Sequence, residues 1–223
     1  MAAPRDQNFG RGTCLHPTTA IAVVIPVFNE EAVLPELFRR LEAVLAAAPD
    51  VNWTIIFVND GSRDQTHELI VAQIARDPRF RLIDLSRNFG HQSALTAGLA
   101  HVGAADAAVT MDADLQDPPE LIPDLVAAWR AGAEVVLAVR RSRRESGLRR
   151  LGFDLFHRFF GFLSDFPIER NTGTFGLLGH RAIAAFNQLP EKHRFFPGLR
   201  SWVGFAQTEV FYDRHERRSE EHT

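Results

Sequence analysis

Ile21-Ala22-Val23-Val24-Ile25 is an unbroken apolar run. A strand with one wet face alternates apolar and polar residues, whereas an unbroken run fits a parallel strand buried on both faces. Ala107-Ala108-Val109-Thr110-Met111 also reads as a buried strand. Trp53 to Val58, Phe80 to Leu85 and Glu134 to Val139 are further strands, and Pro26 ends the first one. A helix opens at Asn29-Glu30-Glu31 and places Val33, Leu34, Leu37, Leu41 and Leu45 at apolar positions. Others carry Leu69, Ile70 and Ile74, run from Gln92 to Val102, or start at Asp117-Pro118-Pro119-Glu120 and continue through Trp129. Strands alternating with helices predict an α/β fold around a mostly parallel sheet with right-handed crossovers.

Polar residues punctuate this pattern at the strand C-termini: Asn29 and Glu30, Asp60, Arg87 and Asn88, Asp112 and Asp114. On a parallel sheet these ends share one edge, where open α/β sheets bind ligands. Asp112-Ala113-Asp114 is the most pointed case, because unpaired carboxylates are costly at the end of a buried strand. Such residues are paired, or they bind a metal. Hard oxygen ligands suit Mg²⁺ or Mn²⁺, which take one or two protein carboxylates together with substrate phosphates. Taken alone, Asp-X-Asp reads equally as a turn whose aspartates face water and cap the next helix.

The chain has 223 residues, 45% of them hydrophobic, enough for one sizeable core. A net charge of −3 gives no global pull toward nucleic acid, and none is expected as a partner. Cys14 is the sole cysteine, which excludes an internal disulfide framework and a cysteine-ligated zinc site. Lys192 is the sole lysine, so arginine at any one site also reflects a chain-wide bias. Residues 1–19 are polar and read as a flexible tail without the apolar core of a signal peptide. No run of about 18 apolar residues occurs, so no segment is expected to span a bilayer.

Four stretches together resemble the family 2 glycosyltransferases, which adopt the Rossmann-like GT-A fold. They are Val24-Ile25-Pro26-Val27-Phe28-Asn29-Glu30-Glu31, Val58-Asn59-Asp60-Gly61-Ser62, Leu85-Ser86-Arg87-Asn88-Phe89-Gly90-His91-Gln92 and Met111-Asp112-Ala113-Asp114-Leu115-Gln116-Asp117-Pro118-Pro119-Glu120. Within the family, the chain most resembles the polyprenyl-phosphate glycosyltransferases, the group of dolichyl-phosphate mannose synthases and undecaprenyl-phosphate sugar transferases. The resemblance implies that Pro26, Asn29 and Glu30 line a nucleoside pocket and that Asp60 hydrogen-bonds the base. It implies that Asp112 and Asp114 hold a divalent ion on the donor diphosphate, with Gln116 a further ligand. Arg87 reads equally as a positive donor contact and as a surface arginine. His91 and Gln92 either face the donor or sit in a helix as satisfied polar residues.

Arg140 to Arg158 holds seven arginines (140, 141, 143, 144, 149, 150 and 158) against Glu145 and Asp154, a local net of +5. Leu148, Leu151, Leu155, Phe156, Phe159, Phe160 and Leu163 overlay this charge at helical spacing. A basic amphipathic helix of this kind reads as lying in a membrane interface, or as packed on the sheet. The family resemblance favours the membrane surface, with basic residues presented to a lipid phosphate. From Arg194 to Phe205 the chain again looks like a family segment. Arg200 and Trp202 there are expected to close over the donor diphosphate or guide the acceptor, and Trp202 reads equally as core.

Two departures from the family stand out. Many relatives carry Asp-X-Gly-Asp-Phe-Arg-Leu where this chain has Asn171-Thr172-Gly173-Thr174-Phe175-Gly176-Leu177. A lipid phosphate has a second pKa of about 6 and is mostly dianionic at neutral pH, so the missing carboxylate base is dispensable. This loop points instead to a different donor sugar, with Asn171 and Thr174 as sugar contacts. The second departure is that relatives commonly continue past a strand resembling Glu209-Val210-Phe211-Tyr212 into transmembrane helices. This leaves a peripheral form and a truncated one equally open.

The expected organisation is one domain from 20 to 213, followed by a polar tail at 214–223. The expected activity is inverting, metal-dependent transfer of a hexose from a UDP- or GDP-sugar to a polyprenyl phosphate. It would take place at the cytoplasmic face of a membrane, with a homo-oligomer left open. The expected catalytic set is Asp112, Asp114 and Arg200. The alternatives are a relative acting on a polysaccharide or soluble acceptor, and a non-catalytic nucleotide-sugar-binding module.

Overall fold

The computed structural model describes residues 18–140, 172–191 and 194–212. Seven strands form one sheet: β1 (Thr19–Val27), β2 (Val51–Asn59), β3 (Phe80–Asp84), β4 (Ala107–Thr110), β5 (Val135–Arg140), β6 (Thr172–Gly179) and β7 (Gln207–Tyr212). Their order across the sheet is β3-β2-β1-β4-β6-β5-β7. Only β6 runs against its neighbours; it pairs antiparallel with both β4 and β5. The helices are α1 (Leu34–Ala47), α2 (Thr66–Arg76), α3 (His91–Ala100), α4 (Ile122–Arg130), α5 (His180–Gln188) and α6 (Phe196–Trp202). The mostly parallel α/β expectation therefore holds. Residues 1–17, Asn171, the 214–223 tail and the proposed membrane-interface helix beyond Arg140 fall outside the described residues; Thr19, expected in the N-terminal tail, already belongs to β1, and Arg140, counted with the basic helix, ends β5.

The unbroken apolar runs follow from a core on each face. Ile21, Val23, Ile25 and Val27 of β1 point into one core with α1 and α4, while Ala22 and Val24 point into the other with α3, α5 and α6. On the first face Phe38, Phe57 and Phe80 pack with ring centroids 5.6 to 6.2 Å apart. Burying each such ring contributes about 2–3 kcal/mol. On the second face α3 approaches closely enough that a Cβ on Gly98 would lie 2.2 Å from Val24 Cγ1.

Pro26 does not end β1, which continues to Val27 in register with β2. The geometry explains why proline is tolerated. Met111 N–H donates to the Val24 carbonyl, so even-numbered residues of β1 turn their backbone groups toward β4. Pairing with β4 stops at Val24, so the N–H that Pro26 lacks has no strand to meet.

The largest correction concerns 172–179. The segment expected as a loop is a strand in the middle of the sheet. Three glycines hide it in the sequence, and one of them is needed for close approach: a Cβ on Gly176 would sit 2.5 Å from the Val136 carbonyl oxygen. Opposite Leu137 and Val139 the β5/β6 register slips. Such bulges re-aim side chains at sheet rims. Here the irregular stretch contains Thr174.

Candidate active site

The edge formed by the C-termini of β1, β2, β3, β4, β5 and β7, together with the start of β6, gathers nearly all the expected residues. Next to β1 and β2 the loops are laced together. Asn29 takes up φ 56°, a left-handed value to which asparagine is better suited than most residues. Its N–H donates to Ser62 Oγ, and its side-chain oxygen accepts from Arg63 N–H at 2.8 Å. Glu30 N–H donates to Thr66 Oγ1, and Glu31 exchanges bonds with Asp64 and Gln65. Pro26, expected to line the nucleoside pocket, lies buried within β1.

Asp60 is 3% exposed, and its two oxygens accept from Phe89 N–H and Gly90 N–H at 2.7 and 2.8 Å. In the structure this carboxylate ties the loop after β2 to the loop before α3. Between those loops a groove of about 570 Å³ is lined by Phe28, Asn59, Gly61, Asp84, Arg87 and Asn88, among others. Arg87 is exposed and folds over the Phe89 ring, 4.0 Å from its centroid.

At the centre of the edge stands Asp112. His91 Nε2 lies 2.9 Å from its Oδ1, and Thr174 Oγ1 donates to the same oxygen at 2.8 Å. Burial pushes the Asp112 carboxyl up, but these bonds outweigh it and hold the group below its usual range. The Asp112 bond in turn raises His91 above the ordinary imidazole value. His91 is thus both the first residue of α3 and a partner of the edge. Gln92 links it onward, with Nε2 3.3 Å from His91 Nδ1 and Oε1 accepting from Phe196 N–H at 2.8 Å.

Asp114 is half-buried and accepts from Gln116 N–H through Oδ1 at 3.0 Å. Leu115 between them has φ 58°. A non-glycine residue there costs about 1–3 kcal/mol, which persists only where the surroundings impose it. Next comes Asp117, expected to open a helix but found 1% exposed. It accepts from Tyr212 OH and from Arg140 Nη2, while Arg140 Nε donates to Tyr212 OH at 2.9 Å. Burial pushes Asp117 up despite these partners, and burial with the Asp117 bond also raises the Tyr212 phenol. Local sequence could not reveal this cluster, whose members lie 23 and 95 residues from Asp117.

The donor set suits a hard divalent cation. The bonds to Asp112 and Asp114 among the described residues all use Oδ1, which leaves Oδ2 of each carboxylate without a bond from those residues. Among the described residues no three His, Cys, Asp or Glu side chains form a closed metal cluster. Mg²⁺ needs no such cage when substrate phosphates complete its shell. Gln116 lies two residues beyond Asp114 on the same loop and is half-buried.

Arg200, expected to close over the donor diphosphate or guide the acceptor, is buried. It is 1% exposed, its guanidinium is 5.4 Å from the Phe196 ring, and Nη1 lies 3.3 Å from where a Cβ on Gly176 would be. Trp202 is 48% exposed, which removes the core reading. No helix among the described residues is long and apolar enough to cross a membrane.

The chain is similar to known proteins in sequence and in fold. The chain is 43% identical over 197 residues to the uncharacterized glycosyltransferase YkcC of Bacillus subtilis, covering 88% of this chain and 60% of that one. It is 39% identical over 198 residues to the bactoprenol glucosyl transferase of Shigella phage SfV, covering 88% and 64%. It thus spans less than two thirds of the length of these relatives. Its fold is that of the mannosyltransferase PcManGT from Pyrobaculum calidifontis, solved with GDP-Man and Mn²⁺, at TM-score 0.63 and 16% identity over 91% of this chain and 58% of that one. Glucosyl-3-phosphoglycerate synthase from Mycobacterium tuberculosis, solved with Mn²⁺, UDP and product, aligns at TM-score 0.57 and 19% identity over 90% and 73%. The family described as glycosyl transferase family 2 matches residues 22–187, and the chain belongs to that family.

Proposed function

We propose that the protein transfers a hexose from a UDP- or GDP-sugar to a polyprenyl phosphate, undecaprenyl or dolichyl, with inversion at the anomeric carbon. The observation that carries this reading is the convergence of four polar loops on one sheet edge around Asp112, in a chain 39% identical to a bactoprenol glucosyl transferase. The neighbours solved with GDP-Man or UDP and Mn²⁺ are in keeping with a nucleotide-sugar donor and a divalent ion.

Asp112 and Asp114, with Gln116 beside them, would hold Mg²⁺ or Mn²⁺. When bound, the ion supplies charge neutralisation for the departing diphosphate. The chain's own residues do the positioning. Phe28 and the 61–63 loop wall the groove proposed for the nucleoside, Asn29 and Glu30 brace that loop through Ser62, Arg63 and Thr66, Arg87 offers a positive charge at its rim, and His91 and Thr174 fix Asp112. Thr174 and Asn171 are sugar contacts in this reading. Arg200, buried beside Gly176 and Phe196, stays in this reading the arginine that closes over the donor diphosphate or guides the acceptor.

An oxygen of the lipid phosphate attacks the anomeric carbon, and a new carbon–oxygen bond forms as the bond to the diphosphate oxygen breaks. The electron pair leaves with the nucleoside diphosphate. The dianionic phosphate needs no proton removed, and most of the rate comes from alignment of the substrates and stabilisation of the leaving group. We assign residues 20–213 to one catalytic domain acting at the cytoplasmic face of the membrane, in contact with its surface.

The test is a panel of UDP- and GDP-sugars with Mn²⁺, with and without a short polyprenyl phosphate, followed by mass spectrometry of the lipid phase. The reading predicts a hexosyl-phosphoprenol that disappears with EDTA. Nucleotide release without a lipid product would assign another acceptor, and nucleotide binding without turnover would favour a binding module.

A further inference from the structure

The loop from Asp112 to Asp117 is pinned at both ends and strained in the middle. At one end His91 and Thr174 hold Asp112. At the other, Asp117 is buried against Tyr212 and Arg140, the last residues of β7 and β5. Between them Asp114 turns onto Gln116 N–H, and Leu115 takes the left-handed φ of 58°. A leucine does not hold that conformation unaided; surrounding structure must impose it. The Tyr212 ring also packs edge-on against Phe175 at 5.9 Å, next to Thr174. Tyr212 therefore braces both ends of the loop, one by a hydrogen bond and one through a ring contact.

We propose that Tyr212 is a positioning residue for the metal loop: its hydroxyl, with Arg140, clamps Asp117 and so holds Leu115 left-handed and Asp114 directed to the cation. This rests on the proposed metal role of Asp112 and Asp114. The hydroxyl touches neither donor nor acceptor in this account. It acts through Asp117, three residues along the loop from the Asp114 carboxylate that would bind the ion.

The test is Mn²⁺ binding, read by electron paramagnetic resonance of free Mn²⁺ in the presence of UDP or GDP, alongside thermal unfolding of each variant. Tyr212→Phe keeps the ring on Phe175 and removes the hydroxyl. It is expected to weaken Mn²⁺ binding about tenfold, the factor that one hydrogen bond to a charged group supports. Leu115→Gly, which enters the left-handed region without strain, is expected to restore much of that affinity in the double variant. Asp117→Asn, which keeps the shape and loses the charge, should shift affinity in the same direction as Tyr212→Phe. A Tyr212→Phe chain that melts earlier but binds Mn²⁺ like wild type overturns the clamp, as does a double variant no better than Tyr212→Phe. Asp114→Ala separates the two claims. If it binds Mn²⁺ like wild type, the metal reading itself fails; if it loses the ion while Tyr212→Phe does not, only the clamp fails.

Discussion

Thr174 Oγ1 donates to Asp112 Oδ1 at 2.8 Å, joining the one antiparallel strand to the end of β4 across 62 residues of sequence. The same Asp112 oxygen receives His91, so two neutral or cationic donors orient one carboxylate. Thr174→Val keeps the shape and deletes the donor. Loss of about 1 kcal/mol of hydrogen bonding to a carboxylate predicts a several-fold fall in metal-dependent turnover. Thr174→Ser should retain near-wild-type kcat/KM, and steady-state kinetics on the pair checks this.

Gly61 lines the groove proposed for the nucleoside at φ 73°, and a Cβ there would stand 2.6 Å from the Arg87 carbonyl carbon and 2.7 Å from Asn88 N. Both obstacles are backbone, which cannot rotate aside. Gly61→Ala is therefore expected to push the 87–88 loop away and to weaken UDP or GDP binding by about tenfold or more, with a loss of stability of about 1–3 kcal/mol. Calorimetric titration of the nucleotide and thermal unfolding read the two effects separately.

Asp64 joins the groove wall to the loop after β1 by accepting from Thr66 N–H and Glu31 N–H. Burial pushes its carboxyl up, but the bonds from Thr66 and Glu31 outweigh this and leave it below its ordinary value. A depressed folded value means that its stabilisation is present above the unfolded value of about 3.9 and is lost as pH falls through the lower folded value. Asp64→Ala should cost about 1 kcal/mol at pH 7. The gap to wild type in denaturant melts should close at pH values below about 4.

The buried parallel strands were legible because both faces of the sheet are covered. Ile21 to Ile25 alternate between two cores, so every position must be apolar. The convergence of Asn29, Asp60, Asn88 and Asp112 on one edge followed from the parallel order alone. β6 was not legible. Its glycines lower strand propensity, and they are there because neighbouring strands approach closely, which is a tertiary demand. Asp117-Pro118-Pro119-Glu120 reads as the start of a helix, and helical structure does begin at Pro119; the side-chain partners of Asp117 arrive from β5 and β7 and could not be read locally. Arg200 is expected from the family-like segment 194–205, and its burial between α6 and β6 is a tertiary placement that local sequence does not show.

The central claim is that Asp112 and Asp114 hold the cation on the donor diphosphate. The most direct measurement is Mn²⁺ affinity in the presence of UDP or GDP, with donor turnover measured in parallel, for wild type, Asp112→Ala and Asp114→Ala. The account predicts that both substitutions abolish protein-dependent Mn²⁺ binding and reduce turnover by several orders of magnitude. Either alanine variant binding Mn²⁺ and turning over donor like wild type would contradict it.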